Sequence, residues 1–244
     1  MKILGIIPAR YASTRLPGKP LADICGKPMI WWVYNQAKKV KNIDDIYVAV
    51  DNKKVYDVCN EYNMNVIMTN SNHPSHVHRL YECATKIDAD AYICICGDEP
   101  IIEPEVIEKI VPKKTVSRDE LYISGLMRYF SDPVEAIDSG NIKIITNKDG
   151  YALSFSRTPI PYPYKTVNYK IKKTIGIECF NKKALDFFVN SEKGEWEKVE
   201  DIMMLRFVEN RIPVHFSLVN SSSLSVDTEK DLDKIRNIIK NQRS

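Results

Sequence analysis

Ile3-Leu4-Gly5-Ile6-Ile7 runs straight into Pro8-Ala9-Arg10-Tyr11-Ala12-Ser13-Thr14-Arg15-Leu16-Pro17-Gly18-Lys19-Pro20, and this passage sets the expected fold. A short apolar strand ends in a loop carrying Arg10, Arg15 and Lys19. In an α/β protein, the crevice beyond the carboxyl end of a strand is where nucleotides bind. Arginine meets phosphate oxygens as a planar fork and lysine as a point charge. The loop has one glycine, Gly18, so it is neither a Walker A loop nor a G-x-G-x-x-G turn. Side chains must supply much of the phosphate binding that backbone N–H groups supply in those motifs. A solvated basic loop is the alternative reading of the same residues.

Outward from this loop, strand-like and helix-like runs alternate. Helical spacing covers 29–40, 54–62, 77–86 and 104–110, the last with Pro104 at its start. Strand-like runs cover 46–50, which ends at Asp51, then 65–68 and 91–96, stopped by Gly97-Asp98-Glu99-Pro100. This βαβαβ order predicts a Rossmann-like α/β fold, a mostly parallel sheet covered by helices on both faces. From Leu121 onward 122–129, 142–146 and 151–156 read as strands, with Asn147-Lys148-Asp149-Gly150 as a hairpin turn. Helices are expected over 183–188, 200–209 and 229–241, and a strand over 214–219. Lys172-Lys173 and Gly194-Glu195-Trp196 read as exposed loop. The simplest organisation is a single domain over 1–244 with a strand-rich insertion at about 121–175.

The 244 residues carry a net charge of +3, 44% hydrophobic and 27% charged residues, an ordinary globular composition. So small a charge gives no global nucleic-acid footprint. No apolar run approaches the roughly 20 residues of a membrane span, and Pro8, Arg10 and Arg15 interrupt any signal-peptide core. Six cysteines without a C-x-x-C pair suit reduced thiols in a cytoplasmic protein. Cys94 and Cys96 are expected on one face of their strand.

Asp98, at the end of a central strand, is placed to hold Mg²⁺ against phosphates or to cap a turn. Asp227, ahead of the last helix, is a second carboxylate of that kind or an N-cap. His73, His76 and His78 lack a carboxylate or thiol at zinc-ligand spacing.

Residues 7–29, closing with Gly26-Lys27-Pro28-Met29, resemble the signature of the CMP-Kdo synthetases, the 3-deoxy-manno-octulosonate cytidylyltransferases. The resemblance continues, more patchily, through Gly97-Asp98-Glu99-Pro100, Asn141-Ile142-Lys143, Tyr151 to Pro161 and Val226-Asp227-Thr228. It implies a Mg²⁺-dependent cytidylyltransferase that moves CMP from CTP to a small anionic acceptor and releases pyrophosphate. It further implies a homodimer formed through the insertion, with no nucleic-acid or membrane partner. The implied catalytic residues are Arg10, Lys19, Asp98 and Asp227, the two aspartates being the metal ligands. Pro8, Ala9, Arg10, Ser13, Arg15, Lys19, Arg79 and Asp98 are implied for the nucleotide. Arg157 is implied to face the acceptor's anionic group, and Lys143 to approach the acceptor or a phosphate.

The departures from the family cluster where the acceptor would sit. Ser-Gly-Thr-Asp/Glu-Arg reads Ser75-His76-Val77-His78-Arg79, and the Gln before Gly-Asp-Glu-Pro is Cys96. His-Leu-Gly-Ile/Leu-Tyr reads Thr174-Ile175-Gly176-Ile177-Glu178, and Leu-Glu-Gln-Leu-Arg reads Ile202-Met203-Met204-Leu205-Arg206. His76, His78 and Glu178 are therefore candidate acceptor contacts, the histidines alternatively surface or capping residues. The expected acceptor is a Kdo-like acid or its replacement. A phosphonate or phosphorylated acceptor, Kdo itself, and a non-catalytic nucleotide-binding relative are the alternatives.

Overall fold

The computed structural model describes residues 1–13, 15–166 and 168–243. Strand β1 (Ile3–Ala9) leads through a 3-10 turn (Lys19–Leu21) and the short ribbon β2 (Asp23–Ile24) and β3 (Lys27–Pro28) into α1 (Met29–Ala37). There follow β4 (Asp45–Val50), α2 (Lys53–Glu61), β5 (Val66–Met68), α3 (His76–Lys86), β6 (Ala91–Ile95) and α4 (Pro104–Glu108). The second half adds β7 (Ile123–Tyr129), β8 (Lys143–Thr146), β9 (Ala152–Ser156), β10 (Lys172–Phe180), α5 (Lys182–Asn190), α6 (Glu195–Glu200), α7 (Met204–Glu209), β11 (His215–Leu218) and α8 (Glu229–Arg243).

Among the described residues the main sheet has the order β11-β7-β10-β6-β1-β4-β5, with β8 beside β10 and β9 beside β8. Strands β6, β1, β4 and β5 are mutually parallel, and β10 enters antiparallel between β6 and β7. The mostly parallel sheet expected from the βαβαβ order is present.

Alternation along β1 builds a core on each face. Ile3, Ile7 and Ala9 pack with α1, α2 and α4, while Leu4 and Ile6 pack with α3, α5 and α7. A third cluster joins Ile24 and Met29 to Val226, Leu232, Ile235 and Ile239, and this seats α8 beside the β1 loop. Helix starts follow their caps: Asn52, Ser75 and Asn181 accept from Lys54, His78 and Ala184 N–H groups. Each cap satisfies a donor that the helix itself cannot.

Three readings need correction. The nine-residue strand β10 was not anticipated, and Lys172 and Lys173 lie in it rather than in a loop. The cations and Gly176 hide its alternation, and its pairing with β7 shifts register between Ile175 and Glu178, a local kink in the strand. Trp196 is 54% exposed but lies in α6, not in a loop. The helix expected over 200–209 begins only at Met204, and an unexpected helix, α6, ends at Glu200, with Asp201 at φ 50° between them. The Arg157 guanidinium binds the Glu200 and Asp201 carbonyls at 2.5 and 3.1 Å, holding the chain in that break.

Candidate active site

Pro8 and Ala9 end β1, and the chain then turns into the cationic loop. Gly97, at the end of β6, lies so close to β1 that a Cβ there would be 2.7 Å from the Pro8 carbonyl oxygen. A side chain at 97 would push the two strand ends apart. Lys19, reaching across from the 3-10 turn, donates to Asp98 Oδ2 at 2.8 Å and to Asp227 Oδ1 at 3.0 Å. Arg15 donates to the same Asp227 oxygen at 3.0 Å. Burial pushes the Lys19 pKa down, but the two carboxylates outweigh it and the ammonium is held above its usual value. Four of the expected site residues, 212 positions apart in sequence at the extremes, thus meet in one ion network.

Around this network lies a cavity of about 470 Å³ whose walls include Pro8, Ala9, Arg10, Ser13, Arg15, Lys19, Arg79, Asp98 and Asp227. Arg79 is fully buried. It donates to Asp51 Oδ2 at 2.9 Å and to Thr69 Oγ1. Its Nε is buried without a hydrogen-bond partner among the described residues. Burial and neighbouring Arg10 lower its pKa, while Asp51 opposes them. Asp51 also accepts the Tyr11 N–H at 3.0 Å, tying the cationic loop to β4. Its place at the end of the 46–50 strand was the available signal for this role.

A second cavity, about 690 Å³, adjoins the first and shares Arg15, His76, Cys96, Asp98 and Asp227 with it. Glu178 lies in its wall and meets His76, Nε2 to Oε2, at 3.1 Å. Cys96 packs on Gly176, where a Cβ would fall 2.0 Å from its sulfur. Burial pushes the Cys94 and Cys96 thiols well above their usual range; both face the first cavity, on one side of the sheet as expected.

Arg128 and Lys173 also face the second cavity, although the sequence reading placed Lys173 in an exposed loop and did not name Arg128. Each lies 3.6 Å from Glu135, and Lys173 donates to Asn141 Oδ1 at 2.8 Å. Burial and the Arg128 charge lower the Lys173 pKa, and burial raises that of Glu99. Two cations among apolar strand residues were the only signal in the sequence.

Three expected acceptor contacts lie elsewhere. The His78 ring bonds Ser75 Oγ at 2.8 Å and packs on Phe188, turned into the α3–α5 interface. Lys143 is fully buried and donates to the Asp138 and Arg157 carbonyls at 2.7 and 2.6 Å. Arg157 spends its guanidinium on the carbonyls of Ser139, Glu200 and Asp201. Lys143 and Arg157 therefore brace Asp138 and Asp201, both in the wall of the second cavity.

Asp98 and Asp227 fit a Mg²⁺ site: both already converge on one cationic nitrogen, and both offer hard oxygens. Among the described residues no cluster of three or more His, Cys, Asp or Glu side chains is arranged for a metal. One or two carboxylates completed by substrate phosphates and water is the usual Mg²⁺ arrangement.

A family model described as Cytidylyltransferase matches residues 4–216. The chain is 38% identical over 243 residues to the 3-deoxy-manno-octulosonate cytidylyltransferase of Chloroherpeton thalassium, covering 98% of each chain. To the Escherichia coli enzyme of that name it is 35% identical over 237 residues, 96% of this chain and 95% of the relative. A CMP:2-keto-3-deoxy-manno-octonic acid synthetase complexed with CTP superposes with a TM-score of 0.92 at 33% identity, over 99% of this chain and 100% of that one. An inositol-1-phosphate CTP transferase from T. maritima, at 17% identity and TM-score 0.70 over 97% and 94%, shares the fold alone. With so much of its length matched in sequence and in backbone, the protein belongs to the 3-deoxy-manno-octulosonate cytidylyltransferase family.

Proposed function

We propose that the protein transfers CMP from CTP to an anionic acceptor, a Kdo-like acid or a replacement for it, in a Mg²⁺-dependent reaction. The observation that carries this is the convergence of Lys19, Arg15, Asp98 and Asp227 at the junction of two cavities. The first cavity would take the nucleotide, with Arg79 and the Pro8–Ala9 backbone toward the cytidine and Arg10, Arg15 and Lys19 toward the phosphates. The second would take the acceptor. Its oxygen attacks the α-phosphorus in line, the bond to the β-phosphate oxygen breaks, and pyrophosphate leaves with the electron pair. The cationic loop spreads the charge that grows on the phosphates in the transition state. Mg²⁺, held by Asp98 and Asp227, would supply further charge neutralisation. Positioning and electrostatics account for most of the rate in such transfers.

Partners follow from the same reading: CTP and a small acid. The free thiols and a nucleoside triphosphate substrate suit the cytoplasm. A homodimer through the strand-rich region 121–175 is the assembly we infer from the family. The test is pyrophosphate release from CTP with Mg²⁺ across Kdo, a sialic-type acid, phosphonates and a phosphorylated amide. Release with at least one acceptor is expected; none with any acceptor removes the reading.

A further inference from the structure

His76 is the first residue of α3, and its ring stands in the wall common to both cavities, where the acceptor must meet the α-phosphate. Its Nε2 lies 3.1 Å from Glu178 Oε2, a carboxylate carried by β10. The Glu178 carboxylate engages Nε2, which leaves Nδ1 as the ring nitrogen open to another partner among the described residues. A nucleophile's proton acceptor, oriented by a third group, is the arrangement that activates hydroxyls in many enzymes. The charged groups sharing these walls with His76 are Arg10, Arg15 and Lys19 from the loop, Arg79 one turn on, Asp98, Glu99 and Asp227, Arg128, Lys173 and Glu178 from the sheet, and Glu135, Asp138, Asp201, Asp231 and Lys234 in the second cavity. Cys94 and Cys96 beside it are held as neutral thiols. Among the described residues, Glu178 is the charged group hydrogen-bonded to the ring.

Both members of the pair are departures from the family segments, which read Gly and Tyr at these positions.

We propose that His76, oriented by Glu178, is the general base for an acceptor whose attacking group is a hydroxyl. As the acceptor oxygen bonds to the α-phosphorus, its proton passes to His76 Nδ1 and pyrophosphate departs. The imidazolium formed is stabilised by Glu178, and releases its proton to water after turnover. An acceptor attacking through an already ionised phosphate or phosphonate oxygen would have no use for this base. The role rests on the cytidylyl transfer proposed above.

The experiment is pyrophosphate release against pH with Kdo and with an alkylphosphonate, for the wild type, His76→Gln, His76→Gly and Glu178→Gln, with thermal melts to confirm folding. Turnover of the hydroxy acid is expected to fall by about 10²-fold or more in His76→Gln, with the acid limb of the profile lost. Added imidazole should restore much of it in His76→Gly, and Glu178→Gln should move the acid limb while leaving the base in place. Hydroxy-acid turnover in His76→Gln within a few-fold of wild type overturns the proposal while cytidylyl transfer stands. Turnover of the phosphonate alone, indifferent to His76, overturns it too. No pyrophosphate from either acceptor overturns the proposal, and the reading beneath it falls as well only when the wider acceptor panel also fails.

Discussion

The Val226 N–H donates to the Asp98 carbonyl at 2.8 Å, so the loops that carry the two site carboxylates are hydrogen-bonded to each other directly. Val226 is itself fully buried under α8. The separation of Asp98 and Asp227 is therefore set by backbone and core, not by the ions between them. Asp98→Asn and Asp227→Asn should each lower turnover by about 10²-fold or more, with the melting temperature nearly unchanged. Steady-state kinetics beside a thermal melt check this.

Lys19 occupies the space between those carboxylates and offsets their repulsion. Chelation of divalent ions should accordingly leave the folded state intact: EDTA should abolish the Mg²⁺-dependent transfer proposed above while shifting the melting temperature by no more than a degree or so. Lys19→Met removes this compensation, so its melting temperature should rise when Mg²⁺ is added, by binding linkage to the folded state. Differential scanning calorimetry with and without Mg²⁺ gives both results.

Arg206 and Glu197 form a buried bidentate pair at 2.6 Å, with Arg206 also donating to the Phe188 carbonyl at 2.6 Å. Their side chains are 4% and 0% exposed. Truncating one partner leaves a buried charge uncompensated, so Arg206→Met should cost about 3–5 kcal/mol in urea unfolding. The double variant Glu197→Leu/Arg206→Met should recover most of that loss.

Glu82 anchors the segment before α3. Burial raises its pKa, but hydrogen bonds from Lys86, the Asn70 N–H and His73 override this and hold it at about 2. The folded value lies below the unfolded one, so the stabilisation is present above the unfolded pKa and is lost as pH falls toward 2. The difference from the ordinary carboxylate value amounts to about 3 kcal/mol at most. Urea midpoints of Glu82→Gln and wild type should differ at neutral pH and converge near pH 2.

The parallel half of the fold was legible because buried strands read as continuous apolar runs, as in Tyr47 to Val50 and Ala91 to Ile95. The loop cations were singled out by the chemistry of phosphate and both aspartates by the family resemblance, and the structure brings Arg15, Lys19, Asp98 and Asp227 into one ion network. Strand β10 was not legible. Its cavity-facing residues, Lys173, Thr174 and Glu178, are polar for the sake of the site, and Gly176 yields its space to Cys96. Lys143 and Arg157 were read as ligand contacts from the family resemblance. In the structure Lys143 donates to the Asp138 and Arg157 carbonyls and Arg157 to the Glu200 carbonyl, 43 positions away, a pairing no local pattern announces.

The reversed direction of β10 has a consequence for how such a molecule can change its diet. Parallel strands offer a crevice only their tips, and altering a tip disturbs the loop that follows. A strand running the opposite way lays its middle across the same opening, so residues such as Thr174 and Glu178 can be exchanged while every loop keeps its length. One half of the molecule is thereby free to drift toward new acids while the other goes on reading the same nucleotide.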